Sequence, residues 1–218
     1  MKQIGIGVIG WGFMGRTHTF SIKTMPLHYN LDFEPRLIGI CSRRLEKAEQ
    51  AAREQGFKYA VDDYHKLLAD PEIDVVSICT PNNLHEQMAL DAIAAGKNVY
   101  IDKPLSINYE SARRIADAAR AAGVKAQLAL NNRFFPSTML AHELVTSGKL
   151  GRVTSFSAEY LHSGSVDPDR PIGWKQDYDA CGGGVLLDLG SHALDLVIWM
   201  CGKVDSIDCI TQTLYSER

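Results

Sequence analysis

Ile4-Gly-Ile-Gly-Val-Ile-Gly10-Trp-Gly12-Phe-Met-Gly15 spaces three glycines as G-x-G-x-x-G, after an apolar run of strand length and at the start of a helical pattern. In that setting each glycine has its own task. Gly10 permits the tight turn, Gly12 lets the backbone approach a pyrophosphate, and Gly15 lets helix and strand pack closely. The helix N-terminus adds free N–H groups and a partial positive charge. Gly10, Gly12, Phe13, Met14 and Gly15 are therefore candidate dinucleotide-binding residues. A glycine turn by itself is common; the strand–helix junction is what carries this reading.

Outward from that loop the chain alternates. Apolar runs of strand length lie at Ile4–Ile9, Leu37–Cys41, Val75–Cys79, Val99–Ile101 and Val124–Leu130. Helical spacing fills Phe13–Lys23, Leu45–Gly56, His85–Ala95 and Tyr109–Ala122, with Gly56, Gly96 and Gly123 at stop positions. The runs at 73–78 and 125–130 are apolar on both faces, as strands covered on both sides are. The pattern predicts a doubly wound α/β domain over residues 1–130. After about residue 133 the rhythm changes. A helix is expected from Pro136 to Ser147, strands at Thr154–Leu161 and Val204–Thr213, a polar loop at 163–180, and a helix of about five turns after Gly182-Gly-Gly184. Residues 131–218 thus read as the beginning of an α+β portion.

The end of the second strand bears on which dinucleotide binds. An NAD-preferring site usually has an acid there for the ribose 2′-hydroxyl. This strand ends Cys41-Ser42-Arg43-Arg44. Ser42 can hydrogen-bond a 2′-phosphate and a guanidinium can pair with it, which favours NADP over NAD. The plainer alternative is that Arg43 and Arg44 are solvated residues starting a surface helix. Thr80, Pro81, Asn82 and His85 follow another strand, at the sheet edge where open α/β sheets bind ligands. Asn82 is a cofactor contact in this reading; His85 is either that or a buried structural histidine.

The 218 residues are 45% apolar, with 23 Lys+Arg against 26 Asp+Glu and a formal charge of −3. No basic stripe suits a phosphate backbone, so nucleic acid is not an expected partner. No window approaches the ~18 uninterrupted apolar residues of a membrane span, so neither is a membrane. The start, MKQIGIGVIGWG, reads as a strand and lacks a signal cleavage site. Cys41, Cys79, Cys181, Cys201 and Cys209 form no C-x-x-C pair and read as free thiols of a reducing, cytoplasmic setting. Asp188 and His192 could ligate zinc, but no third clustered ligand accompanies them, and no metal is expected.

Several ordered motifs resemble the glucose–fructose oxidoreductase / inositol dehydrogenase (Gfo/Idh/MocA) family. They are Thr80-Pro-Asn82 with His85, Ala94-Ala-Gly-Lys97-Asn-Val, Asp102-Lys103-Pro104, Arg133-Phe-Phe-Pro136, and Gly182-Gly-Gly-Val-Leu-Leu-Asp188-Leu-Gly-Ser-His192-Ala-Leu-Asp195. The resemblance implies a Rossmann domain followed by a domain with a mostly antiparallel sheet. It implies NAD(P)-dependent oxidation or reduction of a secondary alcohol of a sugar, cyclitol or related polyol, and a homo-oligomer formed through the second-domain sheet. It also implies Lys103, Asp188 and His192 as the catalytic set.

Hydride transfer from a carbinol requires removal of the hydroxyl proton, and His192 suits that because an imidazole titrates near neutrality. Lys103 would contact the reacting oxygen and the cofactor, and Asp188 would orient substrate. Which of Lys103 and His192 carries the proton stays open. Arg133 is a further cofactor candidate or a salt-bridge former. Tyr160 and Trp174, with Lys175, are substrate-pocket candidates, and His162 lies near them.

Two departures stand out. Asp102 replaces the family's usual Glu before Lys-Pro, one methylene shorter, and the chain is shorter than family members. The expected consequence is a folded, cofactor-competent first domain, with a second part that is marginally stable or completed by a partner chain. A cofactor-sensing regulator or an NAD-assisted glycoside hydrolase on the same fold are the alternatives; retention of both Lys103 and His192 argues against the regulator.

Overall fold

The computed structural model describes residues 1–215 and 217. Contacts divide the chain into two compact units, Met1–Ala129 and Leu130–Arg218. The first contains β1 (Lys2–Ile9), α1 (Phe13–His28), β2 (Phe33–Cys41), α2 (Leu45–Gln55), β3 (Tyr59–Val61), α3 (His65–Leu68) and β4 (Val75–Ile78). It continues with α4 (His85–Ala94), β5 (Asn98–Ile101), α5 (Tyr109–Ala122) and β6 (Ala126–Leu128).

All strand pairings are parallel, and the order is β3-β2-β1-β4-β5-β6. That is the Rossmann order, and it reverses direction between β1 and β4. The loops after those two strands therefore border the crevice where such sheets bind ligands.

Successive residues of a strand face opposite sides of a sheet, and the core follows that rule. Val8 and Ile40 join Ala48, Ala51 and Phe57 in one buried cluster. Ile9, Ile78 and Ile101 join Ala89, Ala92, Ile93, Ile115 and Ala119 in another. Burial on both faces is why these strands read as continuous apolar runs. Gly56 and Gly123 end α2 and α5 in the left-handed conformation, and the Asn108 side chain caps α5 by accepting from Ser111 N–H at 2.9 Å. Lys97 of the Ala-Ala-Gly-Lys motif is buried. It donates to the carbonyls of Asp70 (2.7 Å) and Ile73 (2.8 Å), tying the turn before β4 to the start of β5. β3 and α3 are absent from the sequence-based expectation; three and four residues are too few to show a period.

The second unit holds α6 (Pro136–Thr146), α7 (Tyr178–Cys181) and α8 (Ser191–Cys201), with a wide-turn stretch, Leu186–Gly190, running into α8. The expected five-turn helix is thus divided. Arg133 pairs with Asp195 through two parallel bonds, Nε to Oδ2 at 2.7 Å and Nη2 to Oδ1. The guanidinium lies 5.6 Å from the Trp199 ring, and His142 stacks on the other part of this cluster at 3.9 Å from Trp199.

The strands expected at Thr154–Leu161 and Val204–Thr213 do not form: both stretches are exposed, without ladder partners. An alternating pattern becomes a strand only where a neighbour takes its hydrogen bonds and a face is covered. Among the described residues the second unit has no sheet.

The helical run Tyr178–Cys201 is, by length and composition alone, long and apolar enough to cross a membrane. Asp188, His192 and Asp195 interrupt its apolar residues, so a search for an unbroken run passes over it. All five cysteines are free thiols.

Candidate functional site

The glycine loop has the geometry its spacing implies. Gly10 has φ +101°, and a Cβ there would sit 2.6 Å from the Cys79 carbonyl oxygen, so the turn admits only glycine. Its N–H donates to the Cys41 carbonyl at 2.9 Å, pinning the loop to the end of β2. A Cβ on Gly15 would overlap the Gly10 carbonyl oxygen, which is why α1 can lie so close to β1. Gly12 differs: it precedes α1, and nothing lies within 4 Å of where its Cβ would be. Phe13 is exposed and Met14 half-buried at the first turn of α1. Open space at Gly12, at a helix N-terminus whose first N–H groups have no partner within the helix, fits a dinucleotide pyrophosphate.

At the end of β2 the Ser42 N–H donates to the Val61 carbonyl at 3.1 Å, and Arg43 and Arg44 are exposed. The Cys41 thiol beside them is pushed up to about 11, by burial first and then by the Asp63 and Asp62 carboxylates. Those acids follow β3, so inspection of the second strand alone overlooks them.

After β4, Asn82 is buried in a short turn of helix, and Thr80 and Pro81 lead into it. His85 is completely buried. Its Nδ1 lies 2.9 Å from the Pro104 carbonyl and its Nε2 2.9 Å from the Thr80 carbonyl. Both ring nitrogens thus face backbone carbonyls. After β5, Asp102 is buried and its Oδ1 accepts from the Lys103 N–H at 2.9 Å.

Behind these loops lies a polar cluster that the sequence reading missed. His18 Nδ1 is 2.8 Å from Ser77 Oγ and 3.2 Å from Cys79 Sγ, and its ring lies 4.9 Å from that of Tyr100. Burial lowers the His18 pKa, against an opposing pull from Asp102, and pushes the Cys79 thiol up to about 12. Cys79 is therefore a protonated packing residue with no thiolate to offer as a nucleophile.

The second unit gathers Tyr160, Trp174, Lys175, Asp188 and His192. Lys175 Nζ donates to both Asp188 oxygens, at 2.9 and 3.0 Å, and stands 5.8 Å from the Trp174 ring. The Tyr160 ring is 6.1 Å from that of His192, which is buried in the first turn of α8. Of the named candidates, Arg133 stands apart: Nε and Nη2 are both spent on Asp195. His162 bonds locally, accepting from Gly164 N–H at 2.8 Å. Among the described residues no three His, Cys, Asp or Glu side chains are grouped to hold a metal ion.

Comparison with known proteins matches residues 4–130 to the oxidoreductase family with an NAD-binding Rossmann fold, and residues 138–218 to the GFO/IDH/MocA C-terminal domain. Levoglucosan dehydrogenase of Pseudarthrobacter phenanthrenivorans is 32% identical over 219 residues, covering 100% of this chain and 56% of that protein. D-glucoside 3-dehydrogenase of Escherichia coli is 33% identical over 168 residues, covering 76% of this chain and 46% of that protein. A solved structure of levoglucosan dehydrogenase in complex with NADH and levoglucosan aligns with TM-score 0.90 at 33% identity, covering 93% of this chain and 55% of that chain. The chain spans about half the length of the curated relatives it matches.

Proposed function

The chain belongs to the Gfo/Idh/MocA oxidoreductase family, and from that membership we propose a nicotinamide-dependent oxidoreductase acting on a secondary alcohol of a sugar, cyclitol or related polyol. The observation that carries this reading is the glycine loop. Gly10 and Gly15 are sterically obligatory, while Gly12 leaves open space at the start of α1, beside the crevice where the strand order reverses. Relatives named for sugar dehydrogenation, one of them solved with NADH and levoglucosan, support the substrate class.

The bound nicotinamide supplies the hydride acceptor or donor. The protein's own residues handle the hydroxyl proton and the alcohol's orientation. His192 takes the proton as general base, a role open to an imidazole near neutral pH. Lys103 donates a hydrogen bond to the reacting oxygen, stabilising negative charge as it develops. Asp188, held by Lys175, accepts from substrate hydroxyls, and the half-exposed faces of Tyr160 and Trp174 suit the C–H surface of a sugar ring. Ser42, Arg43 and Arg44 give the adenosine end a hydroxyl and two cations, which favours NADP over NAD.

The run Tyr178–Cys201 is the helix that bears the site and does not span a membrane in this reading. Its Asp188 and Asp195 carboxylates are ion-paired within the unit, and acidic groups are costly in hydrocarbon.

The test is incubation of the chain with NAD⁺ or NADP⁺ and a panel of anhydrosugars, aldoses and cyclitols, read at the absorbance of reduced nicotinamide. The expected result is alcohol-dependent reduction that disappears in Lys103→Met. Bound cofactor with no reduction across the panel would count against the reading.

A further inference from the structure

His85 is completely buried, and neither the hydride nor the proton step uses it. Its ring lies between two loops with separate tasks. Nε2 meets the carbonyl of Thr80, which opens the Thr80-Pro81-Asn82 loop after β4, at 2.9 Å. Nδ1 meets the carbonyl of Pro104, which closes the Asp102-Lys103-Pro104 loop after β5, also at 2.9 Å.

The second loop is gripped on both sides of the lysine. The Lys103 N–H is held by Asp102 Oδ1 at 2.9 Å, and the carbonyl of the next residue is held by His85. A lysine side chain has four rotatable carbons between backbone and ammonium, so a fixed backbone is what confines the charged end to a small volume. A displacement of about 1 Å at such a group can cost on the order of a hundredfold in rate.

We propose that His85 is a positioning residue that acts through Lys103, its imidazole locking the lysine loop to the neighbouring Thr80–Asn82 loop. The proposal rests on the reading of Lys103 as a catalytic group. The geometry of the clamp itself does not. Burial keeps the ring neutral, so it carries one N–H, donates to one of the two carbonyls and rests its other nitrogen against the second. Glutamine at this position retains an amide donor with a flexible reach, whereas phenylalanine retains only the ring bulk and removes the donor. The two substitutions therefore grade the clamp while keeping the site filled.

Amide hydrogen exchange on the 218-residue chain without cofactor reads the clamp directly. In His85→Phe, exchange at residues 80–84 and 102–106 should rise by about tenfold or more, with β1 and β2 unchanged and His85→Gln intermediate. An unchanged rate at 102–106, or a uniform rise through the first unit, would overturn the proposal. Turnover adds the reading that a merely structural residue would not give. His85→Gln should lower kcat about tenfold with cofactor affinity within about twofold, and should lower it no further in a Lys103→Met background. An equal loss in both backgrounds also overturns it. Titration of the wild-type chain with NADH separates the two claims: lack of binding refutes the proposed function, while the exchange result still decides the clamp.

Discussion

A Cβ on Gly15 would overlap the carbonyl oxygen of Gly10, so the first helix of the sheet can seat against β1 only because residue 15 has no side chain. The overlap is with backbone, which cannot swing aside. Gly15→Ala should therefore destabilise the chain by about 1–3 kcal/mol, as overpacking of a filled site does. Gly12→Ala, with open space around its Cβ position, should stay within about 0.5 kcal/mol of wild type. Urea unfolding midpoints at constant m-value measure both.

The proposed preference for NADP is tested at the end of β2. Arg43→Ala with Arg44→Ala should weaken NADPH binding about tenfold or more, the loss of at least one charge-assisted hydrogen bond to a phosphate, and change NADH binding by less than about twofold. Paired fluorescence titrations decide it. Equal effects on the two cofactors would return these arginines to the solvated start of α2.

Lys103→Met and His192→Ala should each lower kcat by about a hundredfold or more, the low end for a positioned acid–base group. NADH affinity should change little in either, since neither side chain is assigned to the phosphates. Retention of most activity by His192→Ala between pH 6 and 9 would transfer the proton to another group.

Stability should depend on pH through Glu86. The Arg114 guanidinium, with the Ser111 hydroxyl at 2.6 Å, holds the Glu86 carboxyl below its usual range and links α4 to α5. A depressed carboxyl stabilises the fold fully above its unfolded pKa of about 4.3, and that contribution is lost as pH falls through the lower folded value. Glu86→Gln should lower the urea midpoint at pH 7, and wild type and variant should converge near pH 3. The effect is modest, because the pair is largely solvated. A constant gap at both pH values would contradict it.

The first unit was legible because its signals are local. Gly10, Gly12 and Gly15 sit at one junction, and Val75–Ile78 and Asn98–Ile101 are apolar on both faces wherever helices cover them. What escaped depends on neighbours distant in sequence. His18 finds Ser77 and Cys79 about sixty residues away, and Asp62 and Asp63 reach the end of β2 only through the pairing of Cys41 with Val61. His85 reads as a helix-start residue until the sheet brings the Pro104 carbonyl to its ring. In the second unit, Lys175 meets Asp188 and Tyr160 lies near His192, pairings that no spacing in the sequence announces. The strands at 154–161 and 204–213 did not form, because alternation says which face is apolar and supplies no partner to cover it.

The most direct measurement is a fluorescence titration of NADH and NADPH into the 218-residue chain and into Gly12→Val. Nothing lies within 4 Å of a Cβ at Gly12, so valine there is expected to keep the fold and to fill the place assigned to a pyrophosphate. Saturable binding by the wild-type chain, weakened about a hundredfold or more in Gly12→Val at an unchanged melting temperature, is the expected result. Equal affinity in the two proteins, or no binding by a folded wild-type chain, would contradict the assignment of this loop to a nicotinamide dinucleotide.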